Sequence, residues 1–182
     1  PSKQYEVDPV KVGGFTDVNA VAWYAKAVQW ALNKGIISDN SHKFNPDKNC
    51  TKADLYTFLW NAAGSPQSSG SNSFSDVKST DSYYYASIWA KEKGLVSGTT
   101  FNPNAQVTRG ELVVSLWKYL GSPEGMQANQ YLDIESHQSD FGRALAWSHI
   151  KGVMGATERY KFSPKKTITK AEVINIMHRA LK

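Results

Sequence analysis

The feature that most constrains this fold is a motif that returns three times along the 182 residues. Each copy opens with an aromatic residue, one variable residue, an Asp and a β-branched residue, and successive copies start 59 and 57 residues apart. The three openings are Phe15–Val18, Phe74–Val77 and Tyr131–Ile134. A fixed period of this length indicates one supersecondary unit used repeatedly, so the chain is read as three related units.

Further positions fall into the same register. Each unit contains an Ala, a Trp three residues later and a Gly five residues after the Trp, and each contains a Phe-x-Pro segment five residues before a Thr. The Trp residues are Trp30, Trp89 and Trp147, and the Thr residues are Thr51, Thr108 and Thr169. We therefore predict a lead-in over 1–14, repeats over 15–66, 74–123 and 131–182, and linkers over 67–73 and 124–130.

Each repeat is predicted to form two helices. The first helices are expected over 22–34, 83–93 and 141–151, where apolar residues recur at helical spacing and a Gly follows a Lys at the end. The second helices begin at capping boxes, in which a Thr hydroxyl and an acidic side chain three residues later satisfy unpaired backbone N–H groups. These pairs are Thr51 with Asp54, Thr108 with Glu111, and Thr169 with Glu172. Capping explains these six residues without a catalytic role.

The predicted fold class is therefore all-α, built from three helical-hairpin repeats. A hairpin of about 50 residues cannot bury both apolar faces alone, so the repeats are expected to share a central bundle made from their second helices. Trp30, Trp89 and Trp147 recur at one point of the first helix and are read as packing residues.

A cation follows the capping Thr in every repeat, as Lys52, Arg109 and Lys170. A positive charge in the first turn opposes the helix dipole by roughly 0.3 to 1 kcal/mol, and this small cost appears three times. An anion held between the helix N-terminus and the cation would offset it. For Lys52 and Lys170, a solvated side chain on an exposed first turn is the alternative.

Charge and cysteine content limit the other function classes. The net charge is +5, and residues 131–182 carry nine basic and five acidic side chains, so a polyanion binder that uses Lys161, Lys165 and Lys166 remains an alternative. The single Cys excludes an internal disulfide, and Cys50 occupies the slot of Val107 and Ile168, as a small buried hydrophobe does. The His residues form no ligand pattern, so no metal site, cofactor or catalytic residue is predicted. No apolar stretch is long enough to span a membrane.

These motifs resemble those of the S-layer homology family: Phe-x-Asp-Val, a helix ending in Gly, Leu95–Gly98, Phe-x-Pro and a Thr-Arg-x-Glu type segment. The resemblance covers residues 15–182 and implies a pseudo-threefold, three-pronged helical domain. In that family, grooves between neighbouring prongs bind secondary cell-wall polymers, often through a pyruvylated amino sugar, and the basic residue of the Thr-Arg-x-Glu motif contacts the acid group.

Carried over residue by residue, the resemblance assigns glycan contacts to Arg109, and to Lys52 and Lys170 with Lys in place of Arg. Ser97 and Gly98 belong to the intact Leu-x-x-Gly element, whereas the first repeat has Asp39 at the Gly position and the third has Val153–Gly155 with shifted spacing. Trp23 and the run Tyr83–Tyr85, from which Tyr84 is selected, lie at helix starts near the loops and are candidates for stacking on a sugar face.

The expected function is a non-catalytic module that anchors a surface protein, with its cargo domain elsewhere in a longer protein, to an anionic cell-wall polysaccharide outside a bacterial cell. Neither nucleic acid binding nor membrane insertion is expected. A domain that only mediates protein assembly at the cell surface is a further alternative. A wall-degrading enzyme is ranked last, because the recurring acidic residues have capping or turn roles.

Overall fold

The computed structural model describes residues 11–124, 131–134 and 139–182, and these residues form six α-helices with isolated bridges in place of strands. The all-α prediction is therefore confirmed. Most of the lead-in, residues 1–10, and linker residues 125–130 lie outside the described residues. The helices are α1 (Ala25–Asn33), α2 (Lys52–Ala62), α3 (Tyr84–Glu92), α4 (Arg109–Tyr119), α5 (Asp140–Lys151) and α6 (Lys170–Leu181).

The second helices begin as the capping boxes predict. In each, the Thr hydroxyl oxygen accepts a hydrogen bond from the backbone N–H three residues later, and the Asp or Glu carboxylate accepts the N–H of the Thr. One such cap stabilises a helix by about 0.5 to 2 kcal/mol. All six side chains therefore act as helix caps.

The first helices are shorter at the N-terminus than predicted in two repeats. The carbonyl of Ala22 accepts the N–H of Ala25 in a turn, so α1 begins three residues late, and α3 begins one residue late, at Tyr84. In the third repeat, α5 begins one residue early because Ser139 caps it. The predicted Gly stops are confirmed, since Gly35, Gly94 and Gly152 have φ angles of 68°, 67° and 63°. An L side chain rarely adopts this left-handed conformation, which explains Gly at all three positions.

Helix packing differs from the predicted bundle of second helices. The dominant contacts join α2 to α3, α4 to α5 and α6 to α1, so each second helix packs on the first helix of the next repeat, and the third repeat packs on the first. Direct contact between second helices is minor by comparison, as between α4 and α6. Two helices form a hairpin when 2 to 5 residues join them, and the much longer loop between Asn33 and Lys52 lets the helices of one repeat separate.

A ring of three backbone hydrogen bonds joins the repeats ahead of the second helices. The N–H of Cys50 donates to the carbonyl of Ile168 at 2.8 Å, that of Val107 to Cys50 at 2.8 Å, and that of Ile168 to Val107 at 3.1 Å. All three side chains are buried in the one hydrophobic cluster. Burial removes water as a competing partner, so each of these backbone groups depends on its neighbour in the next repeat.

This ring predicts how Cys50 tolerates replacement. Cys50→Val restores the apolar type found at the two equivalent positions, and we expect the free energy of unfolding to change by less than about 1 kcal/mol. Cys50→Ser buries a hydroxyl and should cost about 1 to 3 kcal/mol. Urea unfolding of both variants, followed by circular dichroism, measures the difference. Equal losses in the two variants would contradict the reading of Cys50 as a small buried hydrophobe.

Candidate functional site

The loops around the second-helix N-termini are fixed by the Asp of each repeat opening. Asp76 accepts the backbone N–H groups of Phe101 at 2.8 Å and Asn102 at 2.7 Å, and Asp17 and Asp133 make the equivalent pair of bonds in their repeats. The bond from Phe101 is the main reason that the pKa of Asp76 lies below its ordinary value. These carboxylates hold the Phe-x-Pro loops, so the predicted turn role of the recurring Asp fits the structure.

The Phe-x-Pro loops in turn provide carbonyl acceptors for the N–H groups at the N-termini of the second helices. The N–H groups of Lys52 and Ala53 donate to the carbonyls of Ala105 and Pro103 in the next repeat, and α4 and α6 have the same arrangement. The third N–H of each helix donates to the capping Thr. An anion therefore finds no free donor among these three N–H groups. The sequence-based expectation that an anion is held directly by the helix N-terminus is wrong, and only the cationic side chain remains available for it.

Arg109 clamps two repeats together. Its Nε–H donates to the carbonyl of Phe162 at 2.8 Å, one terminal nitrogen donates to the carbonyl of Gly155, and the guanidinium lies 4.7 Å from the centre of the Phe162 ring. Burial lowers the pKa of Arg109, with the Glu172 charge acting in the opposite direction. Lys170 has a related position, since its ammonium lies 5.2 Å from the ring centre of Phe44 in the first repeat. Both side chains are half-buried.

Lys52 lies instead at the edge of an open cleft that is lined mainly by the first two repeats, with Phe141 and Pro164 of the third repeat also lining it. This cleft has a volume of about 560 Å³ and is named here the Ser97 cleft, because Lys52 from the first repeat faces it together with Leu95, Val96 and Ser97 from the second. Its apolar surface includes Phe101 and Val114. The cleft thus combines two elements that the sequence analysis had selected separately in different repeats.

The charges of the Ser97 cleft favour an anion. Lys118 and Glu111 also line it, but the Lys118 ammonium lies 3.6 Å from Asp140, and the Glu111 carboxylate accepts the N–H and hydroxyl of Thr108. Among the residues that the structure describes, no carboxylate lies within 4.0 Å of the Lys52 ammonium. Lys52 therefore supplies a positive charge that no direct ion pair neutralises.

A second cleft begins on the other side of Lys52. It has a volume of about 650 Å³ and is named here the Asn104 cleft. Lys52 and Glu111 line both clefts, so the two meet at these side chains. The other lining residues are Asp76, Lys78, Asp81, Tyr83, Asn102, Pro103, Asn104 and Ala105.

Comparison with known proteins gives the family. The family model described as S-layer homology domain matches residues 14–55, 73–113 and 130–174, which together make up well over half of the chain. The chain belongs to the S-layer homology family. Its three matched segments coincide with the three repeats, and the capped Thr and the Phe-x-Pro loop of each repeat lie within them.

Relatives of this S-layer homology chain include surface proteins. It is 31% identical over 177 residues to an S-layer protein of Bacillus thuringiensis subsp. finitimus and 30% identical over 176 residues to S-layer protein sap of Bacillus anthracis, covering 91% of this chain and 21% of each relative. A cellulosome-anchoring protein of Acetivibrio thermocellus is 29% identical over 152 residues, covering 76% of this chain and 33% of that protein. The chain thus spans about a fifth of the length of the two S-layer proteins.

Three of the other sequence-selected contacts lie outside these two clefts. Trp23 is 64% exposed and packs edge-on against Tyr24, and Tyr84 packs against the core, and neither lines the Ser97 or the Asn104 cleft. Gly98 is also absent from both linings, and its carbonyl accepts a hydrogen bond from Lys91. The structure therefore brings Lys52 and Ser97 together but not the remaining aromatic candidates.

Tyr83 is an aromatic residue of the Asn104 cleft. Its ring lines the Asn104 cleft and stacks on Phe101, with ring centres 5.8 Å apart and an angle of 23°. The internal repeat of this S-layer homology sequence marks the position, because Tyr83 is equivalent to Tyr24 and Phe141, each three residues before the Ala that recurs in every repeat. Of the Tyr83–Tyr85 run that the sequence favoured for stacking on a sugar, Tyr83 is the member that lines the Asn104 cleft.

Asp39 and the lysines of the third repeat, which the sequence analysis also singled out, lie outside the two clefts. Asp39, at the departure from Leu-x-x-Gly in the first repeat, accepts the N–H of Gly14 at 2.6 Å and so ties down the end of the lead-in. Lys165 and Lys166 lie on a third cleft of about 720 Å³ in the third repeat, whereas Lys161 pairs with Glu158 at 3.2 Å. Within residues 11–124, 131–134 and 139–182, no three His, Cys, Asp or Glu side chains gather as metal ligands, and no helix has the length and apolarity to cross a membrane.

Proposed function

We propose that the chain is a non-catalytic anchoring module that binds an anionic secondary cell-wall polysaccharide at the bacterial surface. Family membership supports this proposal, as do relatives named as S-layer proteins and as a cellulosome-anchoring protein. Because the chain spans only about a fifth of the S-layer relatives, the cargo is the remainder of a longer surface protein. A pyruvylated sugar is the proposed ligand unit, since its carboxylate supplies the negative charge that the site needs.

The observation that carries the proposal is the Ser97 cleft. It places an ammonium without a direct ion pair beside the exposed hydroxyl of Ser97 and an apolar wall that includes Phe101 and Val114. Ligand sites characteristically combine an apolar lining with a few converging polar groups. A sugar carboxylate at Lys52 gains a charge-assisted hydrogen bond of about 1.5 to 3 kcal/mol.

We propose that the three repeats form the pseudo-threefold, three-pronged architecture of the family. The cyclic packing of α2 on α3, α4 on α5 and α6 on α1 supports this arrangement, as does the ring of hydrogen bonds among Cys50, Val107 and Ile168. The three sites are not equivalent in this proposal. Lys52 contacts the glycan, while Arg109 and Lys170 mainly hold the Phe-x-Pro loops of the following repeats.

Replacing Lys52 tests the site directly. We expect Lys52→Ala to weaken retention on purified wall polymer about tenfold, the effect of losing one charge-assisted contact. The matched control is Lys26→Ala, which removes an exposed Lys from α1, outside both clefts. A cosedimentation assay with increasing polymer concentration gives the apparent affinity.

The same assay separates the proposal from its alternatives. Polymer stripped of its acidic substituents should bind the unaltered protein as weakly as intact polymer binds Lys52→Ala. If Lys52→Ala binds normally and neutralising Lys165 and Lys166 abolishes retention, the polyanion alternative is favoured and the proposal fails. If neither change affects retention, the mechanism through the Ser97 cleft is also wrong.

A further inference from the structure

The Ser97 and Asn104 clefts are separate hollows that share one boundary. Lys52 and Glu111 line both, so a ligand that fills the first comes directly to the mouth of the second. Their volumes, about 560 and 650 Å³, are similar, and each is large enough for one sugar unit in an open cleft. A polymer chain that passes Lys52 can therefore place consecutive units in the two clefts.

The two clefts differ in charge. In the Ser97 cleft, Lys118 lies 3.6 Å from Asp140 and the Glu111 carboxylate accepts hydrogen bonds from Thr108, so Lys52 is the cation available to a unit that carries an acid group. The Asn104 cleft adds the carboxylates of Asp76 and Asp81 to that of Glu111, against Lys52 and Lys78. A second anionic unit is repelled there, so the Asn104 cleft fits an uncharged sugar.

The Asn104 cleft has the groups that an uncharged sugar needs. Asn102 and Asn104 carry side-chain amides, which both donate and accept hydrogen bonds and so match hydroxyl groups. Tyr83 presents an aromatic ring held in place by its stacking on Phe101. Asp76 fixes the loop that carries these amides through the N–H groups of Phe101 and Asn102. The site is thus preorganised by contacts that do not involve the ligand.

We propose that the Asn104 cleft is a second subsite, which binds the uncharged sugar unit adjoining the acidic unit held at Lys52. This inference rests on the proposed function and extends it from one sugar to a disaccharide. With both subsites, the chain recognises two adjoining sugar units of the wall polymer in a fixed order. Asn104 is the specificity-determining residue of the second subsite, and its counterpart in the first repeat is Asp47.

The test is titration calorimetry with wall-polymer fragments of one, two and three sugar units, prepared by partial hydrolysis and each containing one acidic unit. The disaccharide should bind about tenfold more tightly than the acidic monosaccharide, and a third unit should add little. Asn104→Ala should weaken disaccharide binding about fivefold, as expected for one hydrogen bond, while monosaccharide binding stays within twofold. Asp47→Ala is the matched control and should leave both unchanged.

The outcomes distinguish this inference from the proposed function. Equal affinity for the mono- and disaccharide, or an equal loss of both in Asn104→Ala, overturns the second subsite while leaving the Lys52 site intact. Absence of binding for every fragment overturns both proposals. Amide chemical shifts provide a check that does not depend on affinity, because the disaccharide should shift Asn102 and Asn104 signals that the monosaccharide does not.

Discussion

Arg109→Ala is expected to lower the free energy of unfolding by about 3 kcal/mol, because it removes two hydrogen bonds from a charged donor. The lost donors leave the carbonyls of Phe162 and Gly155 without these partners, and the cation–π contact with Phe162 disappears. Urea unfolding followed by tryptophan fluorescence measures the change. The variant should therefore lose wall binding through unfolding at elevated temperature, not through a missing ligand contact.

Two matched variants separate stability from binding at this position. Arg109→Lys keeps the charge but cannot reproduce the planar guanidinium geometry that reaches both carbonyls, so it should still lose about 1 to 2 kcal/mol. Lys52→Ala changes the equivalent first-turn cation, whose side chain lies at an open cleft and lacks the carbonyl contacts of Arg109, and should alter stability by less than about 0.5 kcal/mol. If Arg109→Ala proves as stable as the unaltered protein and yet loses wall binding tenfold, Arg109 is a ligand contact and the clamp assignment is wrong.

Local chemistry made much of this fold predictable. Thr followed by Asp or Glu three residues later has one low-energy use at a helix start, and all three boxes form as expected. Gly35, Gly94 and Gly152 end the first helices for an equally local reason, their left-handed φ. Signals of this kind depend on a few neighbouring residues, so a single sequence contains them.

The pairing of helices could not be read in the same way. An apolar stripe shows which face of α2 is buried but not that α3 of the next repeat covers it. The helix N-termini posed a similar problem, because their N–H groups are satisfied by carbonyls such as those of Ala105 and Pro103, 50 or more residues away. Backbone acceptors have no signature in side-chain identity, so the sequence suggested free N–H donors at helix starts where these N–H groups are already hydrogen-bonded.

The candidate site was only partly predictable, because the sequence shows equivalent positions in the repeats but not the loops that face them. Lys52, Arg109 and Lys170 occupy one slot in the repeat, and the Thr-Arg-x-Glu resemblance favoured Arg109. What each cation does depends on the loop that faces it from the next repeat. The carbonyls of Phe162 and Gly155 occupy Arg109, whereas Lys52 faces the open Ser97 cleft. Sequence equivalence therefore identified a shared position in the repeat but not the different surroundings of its three cations, and their contact with a ligand stays a prediction.

Asp133→Asn is expected to lower the free energy of unfolding by about 2 to 3 kcal/mol at pH 7. The two carboxylate oxygens of Asp133 accept the N–H groups of Phe162 at 2.9 Å and Ser163 at 2.7 Å, and Asn would turn an amide NH₂ toward one of these donors. Asp47→Asn, at an exposed loop position, is the matched control and should change little. Urea unfolding at pH 7 compares the two variants.

The same carboxylate predicts a pH dependence. Burial by itself raises the pKa of Asp133, but the bonds from Phe162 and Ser163 outweigh it and hold the pKa below its ordinary value. A carboxylate with a lowered folded-state pKa stabilises the protein fully above the ordinary value near 4, and this contribution is lost as the pH falls through the folded-state pKa. Asp17 and Asp76 have lowered pKa values through equivalent bonds, so all three repeats should weaken together on acidification. Urea unfolding between pH 7 and pH 2 should show a steep loss in the unaltered protein and a shallower one in Asp133→Asn. Parallel pH profiles would mean that Asp133 does not hold its loop as a carboxylate, and the positioning of the clefts by these loops would need another cause.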